Sequence, residues 1–278
     1  MAALKLRTRR VEKVWGRRDL PPGFAPVPSD APPVGEIWFE HPRDERPPLL
    51  VKYLFTSEKL SVQVHPGDEL ARAKGYAGGK DEAWLVLAAE PHAMIGLGLR
   101  EVMTREELRL AALDGTIEDM LRWRAARAGD SYYTPAGTIH ALGAGLALVE
   151  VQQNVDCTLR LHDYGRGREL HVDEAVEAAE PVPYVAPFRP YEAEPGREIL
   201  ADGPAFVFER WRRAGKGRLS DARRIWIVPV AGEGRIDGEA LAAGAAWIAE
   251  DGCEIAFGEG ADILFAYPGE GTIEKLVG

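Results

Sequence analysis

Residues 60–65 alternate between apolar and polar side chains, the pattern of a β-strand that has one face in a hydrophobic core. The apolar face holds leucine and valine, and the opposite face holds three polar residues, Ser61, Gln63 and His65. Because alternate residues of a strand point the same way, Gln63 and His65 direct an amide oxygen and an imidazole toward one point. Alone, this pair is typical of a solvated edge strand, so its meaning depends on what the fold places beside it.

A second strand is predicted to begin near Lys80, and Glu82 and Trp84 share one of its faces. The apolar run 85–88 follows directly. The pattern therefore indicates a carboxylate that enters an otherwise apolar strand.

Short apolar runs separated by glycine and proline recur along most of the chain, which favours a mainly β protein. Besides those above, strands are predicted at 4–8, 35–40, 48–54, 93–97, 205–210, 224–230, 246–249 and 263–266. The strand at 48–54 is apolar except for Lys52, which either reaches the sheet edge or points into a polar site. The sequence leaves these two alternatives open.

A helical period replaces the strand period between residues 102 and 129. Thr104 and Glu107 match a capping box, and Gly115 is placed to end the helix. A second helix is predicted from Thr116 onward, closed by Gly129. This pair is a small helical insertion between strands.

The proline-rich, mixed-charge stretch 184–197 indicates a linker between two domains. We therefore predict one domain over residues 1–189 and a second over residues 190–278. The second contains short strands and no histidine, so it is expected to be a β domain without a metal.

Composition narrows the classes of function. With 278 residues and 46% hydrophobic residues, the chain can build one large or two modest cores. A net charge of -10 argues against nucleic acid or an anionic membrane as a partner, so an anionic ligand would need a local basic pocket. Two cysteines and an N-terminus without an apolar signal region predict a cytoplasmic protein. The oligomeric state is left open.

A second informative stretch is GDSYYTPAGTIH, in which Gly129, Pro135, Gly137 and His140 follow the spacing G-x5-P-x-G-x2-H. A lone histidine in an apolar strand is usually a core residue, but this full spacing resembles the second signature of the cupin superfamily. The resemblance implies a double-stranded β-helix in which His140 lies beside ligands from a first signature. That signature is a variant here, with Gln63 in place of a histidine, and the asparagine that closes the second signature is absent.

Together Gln63, His65, Glu82 and His140 offer two oxygens, two nitrogens and one negative charge. Such ligands suit a catalytic zinc ion that keeps one position open. Two imidazoles and a carboxylate also match the facial triad of non-haem iron oxygenases, so ligand type alone does not choose the metal.

Several ordered motifs resemble type I mannose-6-phosphate isomerase over roughly residues 8–175: LSVQVHP, GKDEAW, TPAGTIHALG and QNVDCTLRLHDYGR. The family resemblance implies a cupin jelly-roll with a second, degenerate jelly-roll, and one Zn²⁺ held by Gln63, His65, Glu82 and His140. It implies that Arg160 is the active-site arginine. Further positions of the substrate pocket are implied at Lys52, Ser61, Lys80, Glu150 and Asp156.

This resemblance implies interconversion of mannose 6-phosphate and fructose 6-phosphate by proton transfer between C2 and C1 through a cis-enediol. Zinc stabilises oxyanion charge without redox change, and a general acid/base moves the proton. Glu150, Asp156 or a lysine remain alternatives for that base, whereas Arg160, Lys52 and Lys80 supply positive charge. An iron-dependent cupin dioxygenase and a sugar-binding cupin without turnover are the alternative functions.

Overall fold

The computed structural model describes residues 3–21, 23–43, 45–219, 223–249 and 252–278. Within these ranges the chain forms four sheets whose paired strands are all antiparallel, and four short helices. The mainly β prediction is confirmed, and the architecture is that of cupin jelly-rolls. None of the helices in the described ranges is long and apolar enough to cross a membrane.

Two sheets make up what we call the first body. The six-stranded sheet has the order β2 (Arg7–Arg17), β3 (Val34–Glu40), β4 (Leu49–Phe55), β11 (Leu146–Gln153), β6 (Glu82–Ala89) and β9 (Ser131–Thr134). The five-stranded sheet has the order β12 (Leu159–His162), β5 (Val62–Val64), β10 (His140–Leu142), β7 (Met94–Leu99) and β8 (Leu121–Ala125).

Two further sheets make up the second body. The seven-stranded sheet has the order β1 (Leu4–Lys5), β20 (Trp247–Ala249), β17 (Ile225–Ala231), β22 (Asp262–Pro268), β15 (Phe206–Trp211), β14 (Arg197–Asp202) and β13 (Tyr191–Glu194). The four-stranded sheet has the order β16 (Gly215–Arg218), β21 (Glu254–Phe257), β18 (Gly234–Ile236) and β19 (Glu239–Leu241).

Three hydrophobic clusters of the described residues stack these sheets in series. One cluster fills the space between the five- and six-stranded sheets and includes Trp84 and Leu142. A second joins the other face of the six-stranded sheet to the seven-stranded sheet, and a third joins the seven- to the four-stranded sheet. Successive side chains of a strand point to opposite faces of its sheet. In the first body, one face of each sheet therefore lines the interior between the two sheets, and the other face packs against the next layer.

Helices cover the outer face of the five-stranded sheet, on the side opposite Gln63. Helix α2 (Arg105–Asp114) and helix α4 (Val172–Ala178) pack there against Val62 and Val64. The capping box is confirmed: the hydroxyl of Thr104 accepts a hydrogen bond from the backbone N–H of Glu107, and Gly115 ends α2 with φ +84°.

One local prediction was wrong. The second helix of the insertion is only one turn, α3 (Ile117–Met120), because residues 121–125 pair with β7 as strand β8. Between β5 and β6 the chain also forms a short helix, α1 (Asp68–Ala73). Within the predicted linker, Tyr191–Glu194 form strand β13, whose backbone pairs with β14.

Two features join residues of the first predicted domain to residues of the second. Strand β1, near the start of the chain, pairs with β20 of the second body. The cluster between the six- and seven-stranded sheets contains residues from both sides of position 190, such as Val149 and Phe208. The division after residue 189 stays a prediction.

Candidate metal centre and active site

Three strands bring the predicted ligands together at one end of the first body's interior. His140 opens β10, where it pairs in register with Gln63 of β5. Glu82 opens β6 of the opposite sheet, and His65 directly follows β5. One donor atom from each of His65, Glu82 and His140 lies within 4.8 Å of the others. The sequence pattern predicted this convergence, and the fold produces it.

The two imidazoles direct their Nε2 atoms at one carboxylate. Nε2 of His65 lies 3.2 Å from Oε1 of Glu82, and Nε2 of His140 lies 3.6 Å from Oε2. Nδ1 of His140 lies 2.9 Å from the carbonyl oxygen of Thr138, to which it donates as Nδ1–H. That contact fixes the tautomer, because the remaining Nε2 then carries the lone pair that a metal needs.

Gln63 is the fourth predicted ligand, and its amide lies against His140. Its Nε2 is 3.1 Å from Nε2 of His140, while its Oε1 accepts a hydrogen bond from the Ser61 hydroxyl at 3.3 Å. The amide nitrogen therefore faces the ligand cluster. Metal ligation by Gln63 requires the amide to turn so that its oxygen takes that place.

Burial and local charge set the protonation of these groups. Burial, together with the ammonium of Lys80, lowers the pKa of His65 to about 3, and burial also lowers the pKa of His140. Burial alone would raise the pKa of Glu82, but its neighbours, chiefly the ammonium of Lys80, hold it well below its usual range. The site therefore presents neutral imidazoles and an ionised carboxylate, the forms that bind a divalent metal.

The donor set fits a resident metal ion. His65, Glu82 and His140 are each at most 2% exposed, and Oε2 of Glu82 has no hydrogen-bond partner in the described structure. A buried carboxylate oxygen is normally satisfied, and a cation held by this cluster would satisfy this atom. Lys80 supplies one positive charge, with its Nζ 2.8 Å from Oε1 of Glu82 and 3.3 Å from Nε2 of His65.

A cavity of about 280 Å³ opens onto this cluster. Eight of the ten predicted site residues line it: Lys52, Ser61, Gln63, Lys80, Glu82, Glu150, Asp156 and Arg160. The other two, His65 and His140, contact Glu82 of this lining. Asp156 is the exposed member, whereas Lys52 and Glu150 are buried.

Lys52 points into the polar site rather than to the sheet edge. Its Nζ lies 2.7 Å from Oε1 of Glu150 and 4.0 Å from Oε1 of Glu36. Burial works against its charge, but these carboxylates outweigh burial and raise the pKa of Lys52. Burial and the negative charge of Glu82 in turn raise the pKa of Glu150, whose Oε2 accepts a hydrogen bond from the indole N–H of Trp84 at 3.0 Å. The cavity wall thus holds a carboxyl group that keeps its proton more readily than usual.

Arg160 brings to the cavity a guanidinium that pairs with no carboxylate among the described residues. Its backbone pairs with Gln63 through β12 and β5, and its Nε is buried without a hydrogen-bond partner among the described residues. Arg168 lines the same cavity, but its Nε donates to Asp163 at 2.7 Å. Arg160 therefore has donors to spare for an anion.

Sequence reasoning did not assign several cavity residues: Glu36, Trp38, Trp84 as a partner of Glu150, Gln152 and Arg168. Glu36 contacts Lys13 and the indole N–H of Trp38 at 3.6 and 2.8 Å. The alternation of β3 places Glu36 and Trp38 on one face, and that signal could have found them. Gln152 pairs in register with Glu82, which follows from sheet pairing and not from local pattern.

Two imidazoles and a carboxylate converging inside a jelly-roll define a metal-binding cupin. The chain is 34% identical over 226 residues to mannose-6-phosphate isomerase ManA of Bacillus subtilis, which covers 74% of this chain and 71% of that protein. It is 32% identical to the mannose-6-phosphate isomerase of Streptococcus mutans, over 73% of this chain and 69% of that relative. The chain therefore belongs to the mannose-6-phosphate isomerase family.

Solved structures agree on the fold. The mannose 6-phosphate isomerase of Bacillus subtilis superposes with a TM-score of 0.82 at 26% identity, covering 96% of this chain and 99% of that chain. A zinc-bound mannose 6-phosphate isomerase superposes with a TM-score of 0.74 at 16% identity, covering 97% and 100%. No protein-family model matches the chain.

Proposed function

We propose that this protein interconverts mannose 6-phosphate and fructose 6-phosphate by proton transfer between C2 and C1, with Zn²⁺ at the His65–Glu82–His140 site. The observation that carries the proposal is the cavity itself. Three metal donors, a buried lysine–glutamate pair and an arginine without a carboxylate partner among the described residues meet there. Family membership supports the same reaction, because the relatives named above are mannose-6-phosphate isomerases.

Zinc fits the donors, since it accepts imidazole nitrogen and carboxylate or amide oxygen without redox chemistry. His65, Glu82 and His140 would hold it, and Gln63 would join them with its amide oxygen turned inward. When bound, the ion supplies Lewis-acid stabilisation of negative charge on the sugar oxygens. A zinc-bound mannose 6-phosphate isomerase of the same fold supports this choice over iron.

The substrate is anionic, and Arg160 is placed to bind it. In a protein with a net charge of -10, an anion needs concentrated local positive charge. Arg160 offers a planar set of donors that matches phosphate or enediolate oxygens. Ser61 and Asp156 line the same cavity, and we propose that they contact sugar hydroxyl groups there.

For the proton, we propose Glu150 as the group that carries it between C2 and C1. Burial and the charge of Glu82 raise the pKa of Glu150, so this carboxyl group accepts and holds a proton more readily than an exposed glutamate, as a general acid/base must. The indole of Trp84 and the ammonium of Lys52 hold the two oxygens of Glu150 in place. Lys80, next to the metal donors and 3.4 Å from the Thr158 hydroxyl, supplies a positive charge for the enediolate.

Purified protein loaded with zinc should convert mannose 6-phosphate to fructose 6-phosphate and exchange the C2 proton with solvent. Deuterated water and NMR of both sugars measure the conversion and the exchange together. Absence of both would contradict the proposal. Oxygen consumption with iron would instead indicate a cupin dioxygenase, and saturable sugar-phosphate binding without product would indicate a binding protein. A cytoplasmic location is part of this proposal, as the site of sugar-phosphate metabolism.

A further inference from the structure

Asp81 lies between Lys80 and Glu82, and its side chain turns away from the cavity. It is 8% exposed and accepts two hydrogen bonds, one from the Tyr133 hydroxyl at 2.6 Å and one from the backbone N–H of Ala136 at 2.8 Å. Its own backbone N–H donates to Oε1 of Gln153 at 2.9 Å. Asp81 thus ties the start of β6 to the turn before His140 and to the end of β11.

The segments joined in this way carry metal donors. Glu82 is the next residue along the chain, and Ala136 lies in the Pro-Ala-Gly turn that leads into His140. A ligand cage needs its donors held to within about half an ångström, and the groups behind the ligands provide that restraint. Asp81 is the residue that connects the Glu82 segment to the His140 segment by side-chain hydrogen bonds.

Gly203 extends the connection into the second body. It lies in the turn between β14 and β15, and a Cβ there would lie 2.2 Å from the Tyr133 hydroxyl oxygen and 2.5 Å from Cζ of that ring. Its backbone φ is not in the left-handed region, so space, and not conformation, requires a glycine. The Tyr133 ring also packs edge-on against Phe206 with centroids 5.9 Å apart. The second body therefore packs against Tyr133 and helps to hold its hydroxyl against Asp81.

We propose that Asp81 is a positioning residue for the metal ligands, and that the second body supports the metal centre through Gly203 and Tyr133. This gives the second body a role in the function of the first. The inference rests on the proposed metal site but not on the identity of the sugar.

Two substitutions of Asp81 separate positioning from charge. Asp81→Asn keeps an oxygen for the Ala136 N–H, and its amide NH₂ can donate to the Tyr133 hydroxyl, whose O–H can reorient. Asp81→Ala removes both contacts. A positioning role predicts that Asp81→Asn stays close to the parent protein while Asp81→Ala does not. A role for the negative charge predicts that both variants lose function equally.

Metal affinity and ligand geometry are the readouts, and neither needs the sugar. Competition of the intact protein with a zinc chelator gives the affinity, and the visible absorption of the Co²⁺-substituted protein reports the coordination geometry. We expect Asp81→Ala and Gly203→Ala each to weaken zinc binding about 10- to 100-fold and to shift the Co²⁺ bands, the usual size for groups behind metal ligands. Gly258→Ala is the matched control, because a Cβ there meets only the Glu233 carbonyl oxygen at 3.8 Å and should change neither readout.

The double variant Asp81→Ala, Gly203→Ala tests whether Gly203 acts on the metal site through Tyr133 and Asp81. If Gly203→Ala acts by displacing Tyr133 from Asp81, adding it to Asp81→Ala should cause little further loss of affinity, whereas independent effects would add. Additive losses would overturn the part assigned to the second body. Folded Gly203→Ala protein with parent affinity and spectrum would overturn it as well.

Tyr133→Phe provides the test if Gly203→Ala does not fold, because it removes the hydroxyl and keeps the ring. Weakened zinc binding in Tyr133→Phe supports the connection, and unchanged binding overturns it. Tyr132→Phe is its control, since that hydroxyl contacts Asp130 at 3.3 Å on the other face of β9. Parent protein that binds no zinc would instead refute the metal site on which the inference rests.

Discussion

Replacing Arg160 with alanine should remove most of the activity while leaving the metal in place. In the described structure the guanidinium contacts no carboxylate and none of the three metal donors, so its loss leaves no buried anion unpaired. A hydrogen bond to a charged group contributes about 1.5–3 kcal/mol. Two such bonds to a phosphate or enediolate are therefore worth about 3–6 kcal/mol, or roughly 10²- to 10⁴-fold in kcat/KM.

The assay is steady-state conversion of mannose 6-phosphate with zinc content measured on the same preparation. Arg160→Lys keeps the charge but loses the planar pair of donors, so it should fall between alanine and the parent protein. Arg109→Ala removes an exposed arginine of α2 that pairs with Asp173 of α4, and it should change neither activity nor zinc content. A metal-free Arg160→Ala protein, or one with kcat/KM within threefold of the parent, would refute the reasoning.

Three further predictions follow from the same contacts. His65→Ala and Glu82→Ala should each lose zinc as measured by elemental analysis, because each removes one of the three converging donors; full zinc occupancy in either would exclude that donor. Arg197→Met should lower the free energy of unfolding, measured by urea denaturation, by about 3–5 kcal/mol, because it leaves the fully buried Glu209 without its ion-pair partner. The exposed Arg212→Met should cost under about 1 kcal/mol, and equal losses would refute the distinction. Burial raises the pKa of Cys157 to about 11, so the folded state keeps this proton longer than the unfolded chain and loses stability as pH rises from about 8.5 toward 11. Its thiol should resist a disulfide reagent at pH 8.5 in native protein and react on unfolding, whereas rapid native reaction would show that it is accessible.

Features that depend only on residues close together in the sequence could be predicted from it. The alternation over 60–65 gave the shared direction of Gln63 and His65, and the spacing before His140 gave the turn and strand that carry it. The capping box at Thr104 was also readable, because capping depends on residues three apart. Each of these features is decided within a dozen residues.

Features decided by pairing between distant segments were not readable. Residues 117–124 have apolar spacing that suits a helix, but β7 offers a free edge, and pairing with it turns 121–125 into strand β8. The partner of Lys52 was open for the same reason, since Glu150 reaches it across the β4–β11 pairing. Gly203 gave no sign of its role, because its requirement for space comes from Tyr133, seventy residues earlier.

The convergence of His65, Glu82 and His140 on one divalent ion is tested most directly by anomalous diffraction at the zinc edge from crystals grown with zinc. We predict a single strong peak per chain about 2.0–2.2 Å from Nε2 of both imidazoles and from a carboxylate oxygen of Glu82. A peak held by other residues, or no peak at saturating zinc, would contradict the account.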